Sequence, residues 1–205
     1  FSNNYDWSRK FPTCGGDFQS PINIDTSNLM DIGNLKELTV AFKPSKCFVM
    51  TRNNMPTLKY DPGSYIKLAG VNYEVNKLSL HSPSMHTING EYYDMEVAIY
   101  CCMNPKECNK GVILSILFQS GDDSSPQNDF FSQFINRIPK GESKFEKEIK
   151  VSSDWNIASI FPKSKSFFHY DGSLPYPPCS EGWQWIVFEE APVIGKTNYD
   201  IFNLV

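Results

Sequence analysis

The chain has 205 residues, of which 40% are hydrophobic and 20% are charged, and its formal net charge is −4. This length allows a large core in one globular domain. The negative charge argues against nucleic acid as a partner and against a dominant basic surface for sulfated glycans. We expect no membrane-spanning helix, because no run of about 18 apolar residues occurs.

The cysteine content indicates the compartment. The chain has six cysteines, an even number that exceeds the usual need of a cytosolic protein and favours an oxidising environment, either secreted or luminal. Buried free thiols are the alternative. No Asn-x-Ser/Thr sequon supports secretion. The chain starts at Phe1 without an initiator Met or a signal peptide, which is typical of a processed or trimmed chain.

The first part of the chain predicts a loop followed by strands. Residues 1–25 are rich in Gly and Pro and lead into a short strand. Apolar and polar residues alternate within 35–80, with a turn at 61–64 and a hairpin around Ala69-Gly70. This pattern is typical of consecutive antiparallel strands.

Residues 77–100 predict two paired strands with a polar face. Alternation places Ser79 and His81 on one side of the first strand. Asn89-Gly90 is a strong hairpin signal, so a second strand at about 95–102 returns beside the first. Two such strands can hold a metal, but catalytic zinc needs three neutral imidazoles and an open position. Only His81 provides one.

The second half adds one buried strand and short helices. Residues 111–118 form a continuous apolar run, which predicts a strand buried on both faces. Phenylalanines at helical spacing in 126–137 predict a helix whose aromatic side belongs to the core. Residues 152–161 suit a short helix with Ser153 or Asp154 as its cap. No G-x-S-x-G motif or Walker loop occurs.

Three blocks of sequence carry a family resemblance. They are the opening segment with Q-S-P-I-N-I in residues 7–24, HSPSMHTINGEYYDMEVA at 81–98, and GSLPYPPCSEG at 172–182. Together they resemble the α-class carbonic anhydrases over almost the whole chain. The resemblance implies a single domain over 1–205 of α+β, mainly β class, with a large twisted sheet of about ten mostly antiparallel strands and short peripheral helices. It also implies a late helix at 197–204, and a terminal strand of the family that this chain lacks.

The resemblance also locates the family's zinc site. The three histidine ligands of the pattern fall on Ser79, His81 and Ala98 in this chain. One imidazole cannot replace three. We therefore expect no metal, no other cofactor and no catalytic residue.

Four further positions of that site are altered. Met85 stands where the family has the glutamate that takes a proton from a threonine hydroxyl, and Pro175 stands where it has that threonine. Proline offers neither an O–H nor an N–H. Pro56 replaces the histidine that relays protons to solvent. Tyr100 replaces a small residue of the CO2 pocket, and we expect its ring to fill that pocket.

Glu96 and His86 match family residues that support the zinc ligands. His86 is expected to be a hydrogen-bonded core histidine. Glu96, without a zinc histidine to orient, must find a donor, hold water or stay protonated, because an unpaired buried charge is costly. The third histidine, His169, is expected at the surface.

The resemblance implies a disulfide between Cys14 and Cys179, because extracellular members of the family often join these two loops. The pairing of the other four cysteines stays open. Cys101 and Cys102 point to opposite faces of their strand, so at most one of them easily reaches Cys108. The fourth is Cys47.

The resemblance therefore predicts a catalytically inactive carbonic-anhydrase-like domain, a pseudoenzyme that acts as an extracellular binding, adhesion or structural module. Its expected partner is a protein, within a larger assembly or alone, and a glycan is a further candidate. One alternative is a degenerate zinc enzyme with residual anhydrase or esterase activity, which a metal assay would detect. Another is a small-molecule or glycan binder that uses the emptied cone. A residual cavity would favour that binder, whereas a cavity plugged by Tyr100 and Met85 would favour a role for the surface.

Overall fold

The computed structural model describes residues 7–30, 38–52, 55–141 and 146–204. The first residues of the predicted opening loop, and residues 35–37 of the predicted strand region, lie outside the described residues.

Fourteen strands are defined within the described part of the chain. They are β1 (Asn23–Ile24), β2 (Thr39–Ala41), β3 (Cys47–Arg52), β4 (Met55–Lys59), β5 (Tyr65–Leu68), β6 (Val71–His81), β7 (Thr87–Ile88), β8 (Glu91–Tyr92), β9 (Met95–Cys102), β10 (Gly111–Gly121), β11 (Lys147–Ile149), β12 (Phe167–Ser173), β13 (Glu181–Phe188) and β14 (Val193–Gly195).

Eleven of these strands form one large sheet. Its main order is β11-β3-β4-β6-β9-β10-β13-β12, with β5 beside β6, β2 beside β5, and β14 beside β10. Only the pairs that β10 makes with β13 and β14 are parallel among the described pairs of this sheet. Strands β1, β7 and β8 form a small separate sheet. The predicted large, mostly antiparallel sheet of a mainly β fold is confirmed.

The helices are few and short. They are α1 (Trp7–Lys10), α2 (Asn128–Ser132) and α3 (Lys196–Asn203), with 3₁₀ turns at Pro12–Gly15, Thr26–Asn28, Pro105–Glu107, Ile135–Arg137 and Ile157–Ile160. Within the described ranges, no helix has the length and apolar character that crossing a membrane demands.

The helix predicted at 152–161 is reduced to one 3₁₀ turn at its end. Asn156 caps this turn, because its side chain accepts a hydrogen bond from the backbone N–H of Ala158 at 2.9 Å. The prediction that Ser153 or Asp154 is the cap is wrong. Asn156 is the extended residue directly before the first turn, which is where a side-chain acceptor reaches the free N–H groups.

The main core lies on one side of the sheet. Residues 111–118 of β10 are all buried, as their apolar run predicted. Phe130, Phe131 and Phe134 are almost completely buried, and the Phe130 ring stacks on Trp155 with 5.0 Å between ring centroids. The aromatic residues of the predicted helix are therefore core residues.

Strand β9 separates this core from a second, smaller cluster. All eight residues of β9 are buried. Its odd-numbered residues join the main core, whereas Ala98, Tyr100 and Cys102 pack on the other face with Trp183 and Trp185. Successive residues of a strand face opposite sides. The face that carries Ala98 is therefore the face of the candidate site.

Two disulfides are present, Cys14–Cys179 and Cys102–Cys108. The first is the bridge that the resemblance implied. Cys102 reaches Cys108, and Cys101 points to the main core on the opposite face. The two remaining cysteines are buried free thiols, Cys47 and Cys101.

Candidate functional site

The candidate site lies where β6 and β9 pair. These strands are antiparallel, with Ser79 opposite Ala98 and His81 opposite Glu96. Residues two apart on a strand share a face. The structure therefore brings together the three positions that the sequence related to zinc ligands.

Ser79 and His81 are joined by a hydrogen bond. Ser79 Oγ lies 2.8 Å from His81 Nε2, and Ser79 is 0% exposed while His81 is 8% exposed. Burial lowers the pKa of His81 to about 4, with the nearby His86 and Lys77 acting in the same direction and Glu96 opposing them. The imidazole is therefore neutral at physiological pH.

The residues at the three ligand positions do not fit zinc. His81 supplies the one imidazole among them, and the Nε2 atom of that ring already faces Ser79. Ala98 offers a methyl group that cannot coordinate a metal. Across the described ranges, no group of three or more His, Cys, Asp or Glu side chains is placed to hold a metal ion. A catalytic zinc site needs three protein ligands.

The Glu96 carboxylate is paired with hydrogen-bond donors, which is one of the outcomes that the sequence left open. Its Oε1 accepts a hydrogen bond from Ser115 Oγ at 2.7 Å and lies 2.8 Å from His86 Nδ1. Its Oε2 accepts from the backbone N–H groups of Met85 and His86 at 2.7 and 2.9 Å. Burial alone would raise the pKa of Glu96, but the attraction and hydrogen bonds of His86 outweigh it and lower the pKa to about 2. Glu96 is thus an ionised, fully bonded carboxylate.

His86 is a hydrogen-bonded core histidine, as expected. It is 0% exposed, and its Nε2 lies 2.7 Å from Tyr170 Oη. His169 directly precedes Tyr170 on β12, so its side chain points to the opposite face of that strand from Tyr170. There it is half-buried and lies 3.3 Å from Gln184 Oε1. His169 is therefore partly exposed, and the expectation of a surface position for it holds in part.

Tyr100 closes the floor of the site. It is 0% exposed, its Oη lies 3.4 Å from Ser79 Oγ, and its ring packs edge-on against Trp183. Burial raises the pKa of Tyr100 well above its ordinary value, so the phenol stays protonated. The ring therefore fills the space at the floor of the site, and the expectation that this space is the family's CO2 pocket stays a prediction.

Lys77 is a site residue that the sequence reading did not single out. Its Nζ donates a hydrogen bond to Tyr176 Oη at 2.9 Å and lies 4.6 Å from the centre of the Tyr100 ring. The sequence did contain a signal for Lys77, because residues 77, 79 and 81 are two apart and therefore share one face of β6. A cation above an aromatic ring is stabilised by the negative face of that ring.

A cavity of about 890 Å³ opens above this floor. Four of the altered or retained site positions line it: His81, Met85, Pro56 and Pro175. Three others lie beneath and are 0% exposed: Ser79, Ala98 and Tyr100. The structure thus combines the two outcomes that the sequence left open, since Tyr100 plugs the floor while a cavity remains above it.

Comparison with known proteins gives the family. A sequence profile described as eukaryotic-type carbonic anhydrase matches residues 2–205. The chain belongs to the eukaryotic-type carbonic anhydrase family.

Curated relatives extend beyond the region of similarity. The chain is 27% identical to alpha carbonic anhydrase 7 of Arabidopsis thaliana, over 93% of this chain and 67% of that protein. It is 29% identical to mouse carbonic anhydrase 6, over 93% of this chain and 65% of that protein. It therefore spans about two thirds of the length of these relatives. Human receptor-type tyrosine-protein phosphatase zeta is 27% identical over 98% of this chain, which is 10% of the receptor.

Solved structures share the fold. Carbonic anhydrase Cah3 from Chlamydomonas reinhardtii has a TM-score of 0.79 and 26% identity, covering 93% of this chain and 81% of that one. The α-carbonic anhydrase of Thermovibrio ammonificans has a TM-score of 0.83 at 21% identity, covering 98% and 85%. The resemblance read from the sequence is confirmed.

Proposed function

We propose that this chain is a catalytically inactive carbonic-anhydrase-like domain, spanning residues 1–205, that serves as a binding or assembly module. The observation that carries the proposal is the cross-strand pair of Ser79 and Ala98 at two of the family's three ligand positions. The remaining imidazole, His81, faces Ser79 through Nε2. A single neutral imidazole does not hold catalytic zinc.

Proton handling supports the same proposal. Pro175 lines the cavity where the family's threonine hydroxyl belongs, and it has neither an O–H nor an N–H. Met85 supplies a thioether where a carboxylate would take the proton. Pro56, at the position of the proton-relaying histidine, cannot exchange protons with solvent. Removing one well-placed polar group from an active site costs about 10²–10³ in rate, and several are replaced together here.

The disulfides support a place outside the cell or in an organelle lumen. Cys14–Cys179 joins two loops 165 residues apart in sequence, and Cys102–Cys108 closes a short loop. Disulfides persist in oxidising compartments. A related segment makes up about a tenth of the human receptor phosphatase, which favours a protein partner in a larger assembly.

Metal analysis and kinetics test the proposal. Elemental analysis of the purified chain should find no stoichiometric zinc, and stopped-flow assays should find no CO2 hydration above the buffer rate. One zinc per chain, or hydration that a chelator abolishes, would instead support the alternative of a degenerate zinc enzyme.

A further inference from the structure

The cavity has an uncharged lining. None of the described residues that line it is Asp, Glu, Lys or Arg. The lining includes aromatic rings such as Tyr92 and Tyr176 and amides such as Gln19 and Asn23. Ligand pockets of about 300–1,000 Å³ commonly combine apolar walls with a few placed polar groups. The volume and lining of this cavity fit a small ligand that carries both kinds of surface.

The polar groups of the wall are held in place by the protein. Asn23 Oδ1 accepts hydrogen bonds from Thr87 Oγ1 at 2.8 Å and from the backbone N–H of Gly90 at 2.7 Å. Gln19 Nε2 donates to Glu181 Oε1 at 3.0 Å. These bonds fix one end of each amide and leave the amide nitrogen of Asn23 and the carbonyl oxygen of Gln19 for a ligand. Fixed polar groups reduce the entropy that a ligand must lose on binding.

His81 places one polar atom at the base of the cavity. Its side chain lines the cavity although the residue is 92% buried, as the 8% exposure implies. Its Nε2 is bonded to Ser79. Among the described residues, the fully buried side-chain atoms without a hydrogen-bond partner are Nε1 of Trp155 and of Trp183, and Nδ1 of His81 is not one of them. Because the His81 side chain lines the cavity, its ring offers a ligand one nitrogen at the cavity base.

The neutral His81 ring carries one proton, on Nε2 or on Nδ1. With the proton on Nε2, that nitrogen donates to Ser79 Oγ and Nδ1 is an acceptor; with the proton on Nδ1, Ser79 Oγ donates to Nε2 and Nδ1 is a donor. A ligand hydroxyl matches Nδ1 in both cases, because a hydroxyl both donates and accepts.

The site does not suit an anion. Lys77 is the cation next to it, but its ammonium is bonded to Tyr176 and lies over two aromatic rings. A carboxylate or sulfate in the cavity would lose its water without gaining a countercharge from the described lining, which is costly.

We infer that the cavity binds a neutral saccharide, with one sugar hydroxyl hydrogen-bonded to Nδ1 of His81. A saccharide matches the lining because its hydroxyls suit the fixed amides and its C–H faces suit the tyrosine rings. The inference rests on the proposed function, since a zinc ion at His81 would occupy the same imidazole.

Saccharide titration tests the inference on the whole chain. The probes are maltose, cellobiose, lactose and N,N′-diacetylchitobiose at millimolar concentration, with glucuronic acid and glucose 6-sulfate as anionic counterparts. We expect at least one neutral disaccharide to bind by calorimetry and to shift the Nδ1 signal of His81 in ¹⁵N NMR, while the anions do not. If no neutral disaccharide binds, or if the anions bind more tightly, the inference is overturned.

Matched variants locate the site. His81→Phe should weaken binding about tenfold by removing the Nδ1 hydrogen bond. His169→Phe should leave binding unchanged, because His169 does not line the cavity. If His81→Phe does not fold, Tyr92→Ala replaces it, because Tyr92 is 65% exposed at the cavity wall and its loss should weaken binding severalfold. Equal binding by the folded cavity variants and by His169→Phe would refute the assignment. Zinc analysis of the same sample separates this outcome from failure of the proposed function.

Discussion

Restoring two histidines should restore zinc binding without restoring catalysis. The change is Ser79→His together with Ala98→His. These residues are direct cross-strand partners, so their Cβ atoms lie about 4.5–5.5 Å apart. His81 lies two residues from Ser79 on the same face. Three imidazoles would then converge from two paired strands, as a zinc site requires.

The affinity can be estimated from burial. Structural zinc sites reach an apparent ~10–16 kcal/mol. Ser79 and Ala98 are both 0% exposed, so each added ring must enter a filled space, and overpacking typically costs about 1–3 kcal/mol per site. Starting from the lower figure for zinc, about 4–8 kcal/mol remains, which corresponds to a dissociation constant between about 1 mM and 1 µM.

The assay is calorimetric titration of zinc into the metal-free double variant. Ser79→Phe with Ala98→Phe is the control, since it adds similar bulk without ligand nitrogens and should bind no zinc. Adding Tyr100→Val to the double histidine variant should tighten binding about tenfold by relieving the overpacking. If neither histidine variant binds zinc more tightly than the phenylalanine control, the reasoning about the register is wrong.

Catalysis should stay absent in the double variant. Pro175 and Met85 would leave a zinc-bound hydroxide without the hydroxyl and carboxylate that orient it in the family, and Tyr100 still fills the floor. Stopped-flow CO2 hydration should therefore remain near the buffer rate. A rate typical of the family would show that these positions do not limit the reaction.

Two further predictions concern stability. Because the pKa of Glu96 falls from 4.5 to about 2 on folding, its contribution of about 3 kcal/mol is present above pH 4.5 and is lost as the pH falls towards 2. Glu96→Gln should remove that acid-sensitive part of a denaturant-unfolding profile, and an unchanged pH slope would contradict the assignment. Cys14→Ser with Cys179→Ser should cost about 5 kcal/mol, against about 2 for opening the short Cys102–Cys108 loop, by the entropy of loop closure. Equal losses of melting temperature would argue against that origin.

The local pattern was sufficient for the faces of the site strands. Alternation in residues 77–81 predicted that Ser79 and His81 share a face, because the period of a strand fixes this outcome. The strand predicted at about 95–102 does return beside the first, as β9. The reason given for that return was wrong, because the Asn89-Gly90 turn joins β7 to β8 in the small sheet and does not join β6 to β9. The apolar run at 111–118 predicted a doubly buried strand, and all of its residues are buried. The roles of Ala98, Met85 and Pro175 came from the resemblance to the family.

Long-range packing decided what the altered site became. Ser115 on β10 and the backbone of Met85 supply donors to Glu96, and no local pattern shows that these groups converge on one carboxylate. Tyr176, 99 residues from Lys77, takes up the ammonium of that lysine. The persistence of the cavity depends in the same way on loops distant in sequence, because a cavity is the space left when every neighbouring side chain has been placed. The sequence determined which chemical groups the site lost, and the tertiary structure determined which partners the remaining groups found.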